Sequence, residues 1–202
     1  MIDQLILAAA NGDTDKVLAL LQNGININTT DPYGRTAVLA ATYHNQVDTV
    51  KVLIQHGADI NIRDNNLENV LLHAGASGYL EIVKLAIAAG ADTKLTNRFG
   101  GIAIIPASER GHVEVVRELL NHSDIHVNHI NNLHWTALLE AVILGNGGEK
   151  HQEIVQLLVD YGADMTIGDR DGVTPLQHAK KLGFYEIEQI LKEAESERSC
   201  NR

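Results

Sequence analysis

Four histidines, His122, His126, His129 and His134, lie close together in the chain, and imidazole clusters of this kind can hold zinc or another transition-metal ion. Their spacing is not that of a helical zinc motif, and the only cysteine, Cys200, cannot be joined by a second thiolate. They read instead as solvent-facing side chains of a connecting segment. Glu140 could serve as a general base, but catalysis needs a nucleophile, a metal or a second carboxylate held beside it, and none is indicated. Gly100-Gly101 and Gly147-Gly148 could cradle a phosphate, yet neither glycine pair is followed by Lys-Ser or Lys-Thr. The expectation is therefore a non-enzymatic protein with no cofactor and no metal. A metal-dependent or catalytic protein is the reading of another class.

The elements that carry these residues recur. Ala8, Ala41, Ala74, Ala107, Ala141 and Ala179 stand about a repeat of 33 apart, and four residues after each comes Gly12, Asn45, Gly78, Gly111, Gly145 or Gly183. Glycine or asparagine suits a helix that ends in the left-handed conformation, so each alanine belongs to a short helix stopping there. A second apolar run follows at i, i+3, i+4 spacing, as in Val17-Leu20-Leu21 and Val116-Leu119-Leu120, which predicts an amphipathic helix. The unit is helix, turn, helix and extended turn, and six such units fit at about 1–30, 31–63, 64–96, 97–130, 131–168 and 169–202. Thr36, Thr136, Thr174 and Asn69 fall where an N-cap is wanted. Ile102 cannot cap, and Pro106 stands where an interior amide is expected, so the fourth unit's first helix should start late or bend.

Composition bounds the function. The chain has 202 residues, 45% hydrophobic and 21% charged, with a formal charge of -10, which opposes general nucleic-acid binding. No run approaches the roughly 20 apolar residues of a membrane span, and Met1–Ala10 has no basic leader. A cytoplasmic, monomeric protein is expected. The polar outer face introduced by Glu188 in the last unit suits a terminal cap, and residues 193–202 should form a fraying helix end.

Asp169, Gly172, Thr174, Pro175, Leu176 and Ala179, with Gly57-Ala58-Asp59-Ile60-Asn61, resemble the ankyrin-repeat signature over nearly the whole chain. The resemblance implies an all-α, right-handed ankyrin solenoid of six units, two of them caps, forming a single domain over 1–202. It also implies a protein-binding module that uses its concave face and hairpin tips. A regulatory inhibitor or effector, directed at one enzyme or host protein, is the alternative. A short bacterial-type array is the form it most resembles.

Carrying the exposed positions over gives Tyr33 and Tyr43 in the second unit and a change of character in the fourth and fifth. There Phe99, Leu133, Trp135, Ile143 and Leu144 form an expected apolar patch, rimmed by Arg98 and Arg110. Equally open is a packing role, with Trp135 folded under its hairpin and Ile143 and Leu144 extending the core. Glu140 occupies a face usually covered by the next repeat, so it should be a buried structural acceptor. Its expected partners are the amides near Gly147 and Gly148, ahead of His178.

Overall fold

The computed structural model describes residues 1–201. Arg202, the end of the segment expected to fray, lies outside the described residues. There are twelve helices and no strand among the described residues. They fall into two compact units, Met1–Arg98 and Phe99–Arg202.

The first unit holds α1 (Ile2–Ala10), α2 (Thr14–Gln22), α3 (Ala37–Tyr43), α4 (Val47–Gln55), α5 (Val70–Ser77) and α6 (Leu80–Ala88). The second holds α7 (Ile104–Glu109), α8 (Val113–His122), α9 (Ala137–Ile143), α10 (Glu149–Asp160), α11 (Pro175–Leu182) and α12 (Tyr185–Cys200). Helix pairs such as α3–α4 and α9–α10 are the repeated element. The repeating alanines are at most 3% exposed, and Val17, Val50, Val83, Val116 and Val155 are fully buried. Burying each such valine contributes roughly 1.5–3 kcal/mol relative to leaving it in water. Glu188, at the matching position of α12, is half-buried and pairs with Lys192 at 2.5 Å.

The caps form as their residue types require. Side-chain oxygens of Thr36, Asn69, Thr136 and Thr174 accept the amides of Leu39, Leu72, Leu139 and Gln177. Thr174 and Gln177 complete a reciprocal capping box. α7 has no side-chain cap and begins at Ile104, whereas its counterparts begin at Ala37, Val70, Ala137 and Pro175. It starts one register position late, which puts Pro106 in its first turn.

Between helix pairs, asparagine side chains join one repeat to the next. Asn28 and Asn61 accept the amides of Asp59 and Asp92 in the first unit, and Asn128 accepts that of Asp164 in the second.

The five-residue excursion before α10 departs from the repeat. Gly145 was expected to close its helix in the left-handed region, but that conformation is taken by Gly147 (φ 71) instead. Gly145 is required for a different reason, since a Cβ there would collide with the Ala141 carbonyl and stand 2.7 Å from the His151 ring. His151 fastens the excursion to α7, its Nε2 lying 2.7 Å from the Glu109 carbonyl oxygen and its Nδ1 3.1 Å from Asn146 Oδ1. The stretch expected to fray is helical to Cys200, and Arg198 donates to the carbonyls of Val159 and Ala163 at 2.8 and 2.9 Å.

Candidate partner-binding surface

In the second unit the segment Asn131–Trp135 is a tight hairpin. Asn131 donates its amide to the Trp135 carbonyl at 3.0 Å, and its Oδ1 accepts the amides of Leu133 at 2.9 Å and Trp135 at 3.1 Å. Its tip residue His134 has φ 69, a position that is glycine in the hairpins of Gly34, Gly100 and Gly172. A left-handed conformation costs an ordinary L-residue roughly 1–2 kcal/mol. The hairpin is tied to the preceding one by the Asn132 amide, which donates to the Phe99 carbonyl at 2.9 Å. Phe99 and Leu133 thus stand on bonded neighbouring tips.

The expected apolar patch divides by exposure. Phe99, Leu133 and Leu144 are about half exposed, at 52%, 51% and 47%. Trp135 and Ile143 are half-buried, so their rings and branches serve packing as well as the surface. Arg110, at the end of α7, is exposed. Arg98 is also exposed, and it closes the first unit.

Beneath the hairpin lies Glu140, 5% exposed. Its partner is neither of those expected. Glu140 Oε1 accepts from Asn131 Nδ2 at 2.7 Å, while the Gly148 amide is satisfied by Asn146 Oδ1 and His178 by Asp169 Oδ2 at 2.7 Å. The cause is local: the Asn131 and Asp169 hairpins each place the side chain nine residues earlier over this helical position. Asp169 and His178 are such a pair, and Asn131 and Glu140 are the same pair with donor and acceptor exchanged. Burial, and then the like charge of Glu109, push the Glu140 carboxyl up to about 7, against the smaller opposing effect of the Asn131 bond. Asp169 is held below the ordinary carboxylate range, chiefly by the Val173 amide.

The first unit offers a different surface. Tyr33 is 67% exposed and carries the Arg35 guanidinium 5.0 Å over its ring, and Arg35 is paired with Asp31 at 2.7 Å. With Ile6, Leu7 and His44 they line an open cleft of about 530 Å³. Tyr43 is half-buried, its hydroxyl donating to Asp64 Oδ2 at 2.5 Å and its ring 4.2 Å from His73. Burial and the Asp64 bond push its ionisation far above the usual phenol range. Its hydroxyl is committed to the fold. Asn131, Asp64 and His151 were not singled out from sequence; the nine-residue offset between hairpin and helix is the signal that finds Asn131.

Among the clustered histidines, His122 faces Glu118 at 3.2 Å and His129 Nε2 faces the Gly100 carbonyl at 2.8 Å. Among the described residues no group of three or more His, Cys, Asp or Glu side chains could hold a metal ion.

A profile of ankyrin repeats (3 copies) matches residues 5–97 and 71–169. The ankyrin repeat protein YahD of Escherichia coli (strain K12) is 44% identical over 186 residues, covering 92% of each chain. Among solved structures, an ankyrin repeat domain from Acinetobacter baumannii AYE superposes with TM-score 0.91 at 49% identity, covering 94% of this chain and 96% of that one. A complex from Bdellovibrio bacteriovorus, of the predatory endopeptidase Bd0816 with immunity protein Bd3460, gives a matching chain with TM-score 0.74 at 25% identity, covering 94% of this chain and 97% of that one. With its repeating helix pairs and these likenesses, the chain belongs to the ankyrin-repeat family and has its all-α solenoid fold.

Proposed function

We propose that this chain, as one domain of six repeats over 1–202, binds a protein partner through the face that carries Phe99, Leu133, Trp135, Ile143 and Leu144, with Arg110 at its rim. Ankyrin repeats are protein-interaction modules and the family is generally non-enzymatic. The observation that carries the finer reading is the exposure of three large apolar side chains on hydrogen-bonded, rigid supports. Water-exposed groups of this size on fixed supports favour association, because little conformational entropy is lost when they are covered. Tyr33 and Tyr43 form a second contact area in the first unit.

A second reading is that the partner is an enzyme and the chain its inhibitor. It is supported by the Bdellovibrio likeness, a complex of an endopeptidase with an immunity protein. Under either reading the chain is cytoplasmic and monomeric when free. No helix among the described residues is long and apolar enough to cross a membrane.

Affinity capture with the full chain, followed by titration of the captured partner, tests the surface. Phe99→Ala and Leu133→Ala should each weaken binding while melting like the parent. Trp135→Ala should weaken it by about 2 kcal/mol or more and also lower the melting temperature, since the ring is half-buried. Binding unaltered by all three would move the contact area elsewhere.

A further inference from the structure

The excursion before α10 carries an Asn-Gly pair, Asn146-Gly147, and the chain has two others, Asn11-Gly12 and Asn23-Gly24. Asparagine followed by glycine is chemically labile, because no Cβ on the second residue hinders its backbone nitrogen from reaching the side-chain carbonyl carbon. The three pairs differ in what holds that nitrogen. The Gly12 amide donates to the Ala9 carbonyl at 3.1 Å and the Gly24 amide to the Leu21 carbonyl at 3.0 Å, so both are committed to closing a helix. The Gly147 amide has no acceptor among the described residues.

The carbon that would be attacked is positioned as well. Asn146 Oδ1 accepts the Gly148 amide at 2.9 Å, and His151 Nδ1 lies 3.1 Å from the same oxygen. The ring closed by the Gly148 bond contains both Asn146 Cγ and the Gly147 nitrogen, so it keeps the side chain folded over the peptide that would attack it. Because a backbone amide can only donate, the same bond draws electron density towards Oδ1 and fixes which end of the side-chain amide faces the loop. Nδ2, the leaving group, belongs to an exposed residue.

We propose that Asn146 is the site of spontaneous deamidation in this chain. The Gly147 nitrogen bonds to Asn146 Cγ, the Cγ–Nδ2 bond breaks, and the Gly147 amide proton departs with Nδ2 as ammonia, leaving a succinimide. One water then opens that ring. Attack at the side-chain carbonyl gives aspartate, and attack at the main-chain carbonyl gives isoaspartate, whose main chain is longer by a methylene. No oxidant, reductant or enzyme enters the balance. The two products act differently on the excursion. Aspartate keeps an oxygen for the Gly148 amide and puts a negative charge just ahead of α10, whose first amides favour it. Isoaspartate displaces Gly147, a glycine packed so closely on Phe184 that a Cβ would collide with the ring.

The full chain, kept warm in mildly alkaline buffer and then digested, gives the conversion at each pair by mass spectrometry, read as the exchange of a side-chain NH2 for OH. Enzymatic methylation specific for isoaspartate identifies the longer product. In the folded chain Asn146 should convert about tenfold faster than Asn11 and Asn23, the factor that one committed amide hydrogen bond accounts for. In guanidinium the three rates should converge, because the bonds that distinguish them are gone. Conversion at Asn11 or Asn23 that keeps pace with Asn146 in the folded chain would overturn the proposal. So would a lead of Asn146 that persists undiminished in guanidinium, since its source would then not be the fold.

Discussion

A single buried carboxylate illustrates how a side chain can be placed by the fold at a cost to it. Glu140 has one donor, Asn131, and a like charge, Glu109, nearby. A carboxylate held by many donors would lose stability on conversion to glutamine; here the sign reverses. Between its ordinary value of 4.5 and the folded value of about 7, the folded protein keeps a proton that the unfolded chain has released. Stability from this group is therefore present below about pH 4.5, declines as the pH rises toward 7, and is absent above it. Glu140→Gln, which keeps an oxygen for Asn131, should stabilise the protein by about 2 kcal/mol at pH 8 and by much less near pH 5. Urea unfolding at the two pH values measures this, and equal differences at both would contradict it. Asp31 behaves oppositely. Although burial acts against it, the backbone and side-chain bonds from Arg35 and the Tyr33 amide hold its carboxyl low, so its contribution is present above the ordinary carboxylate range and lost on acidification.

At the scale of the element, α7 shows how a misfit residue is accommodated. Pro106 in a helix interior would remove a hydrogen bond and crowd the preceding turn. With the helix starting at Ile104, Pro106 falls among the first amides, which have no intrahelical acceptor in any helix. Removing it gains no ladder bond, and its buried ring is lost from the core. Pro106→Ala should therefore change stability little or lower it by about 1 kcal/mol; a clear rise in melting temperature, with new exchange protection across residues 100–111, would show that the proline had been strained. Local chemistry of this kind was legible in the sequence. The caps at Thr36, Asn69, Thr136 and Thr174, the late start of α7 and the buried valines follow from residue type and the period alone. The Asn131–Glu140 and Tyr43–Asp64 bonds were not legible, because they join a hairpin to a helix, and periodic reading compares like positions only. For the residues proposed as an apolar patch, the sequence did not reveal the division into exposed Phe99, Leu133 and Leu144 and half-buried Trp135 and Ile143. That division depends on how the hairpin folds back on its own helix. Gly145 was misread because the inserted residues move the left-handed turn to Gly147.

For the molecule as a whole, stability in a repeat protein is a sum of repeat and neighbour terms, so a lesion should be felt nearby and fade with distance along the chain. The end of α12 provides the means to measure this. Arg198 reaches back to the carbonyl of Val159, in the last turn of α10, and to that of Ala163 just beyond it; a guanidinium suits the first because the last carbonyls of a helix carry partial negative charge. Arg198→Ala removes both bonds and should cost about 1 to 2 kcal/mol in the last helix pair. Arg198→Lys keeps the charge but not the two-pronged geometry, so it should restore only part of that. Hydrogen exchange resolved by segment is the deciding measurement. Amides at the end of α10 and in the second half of α12 should lose protection, while those of α7 and α8 keep theirs. A uniform loss across the second unit would mean instead that α7 to α12 unfold together as one cooperative block.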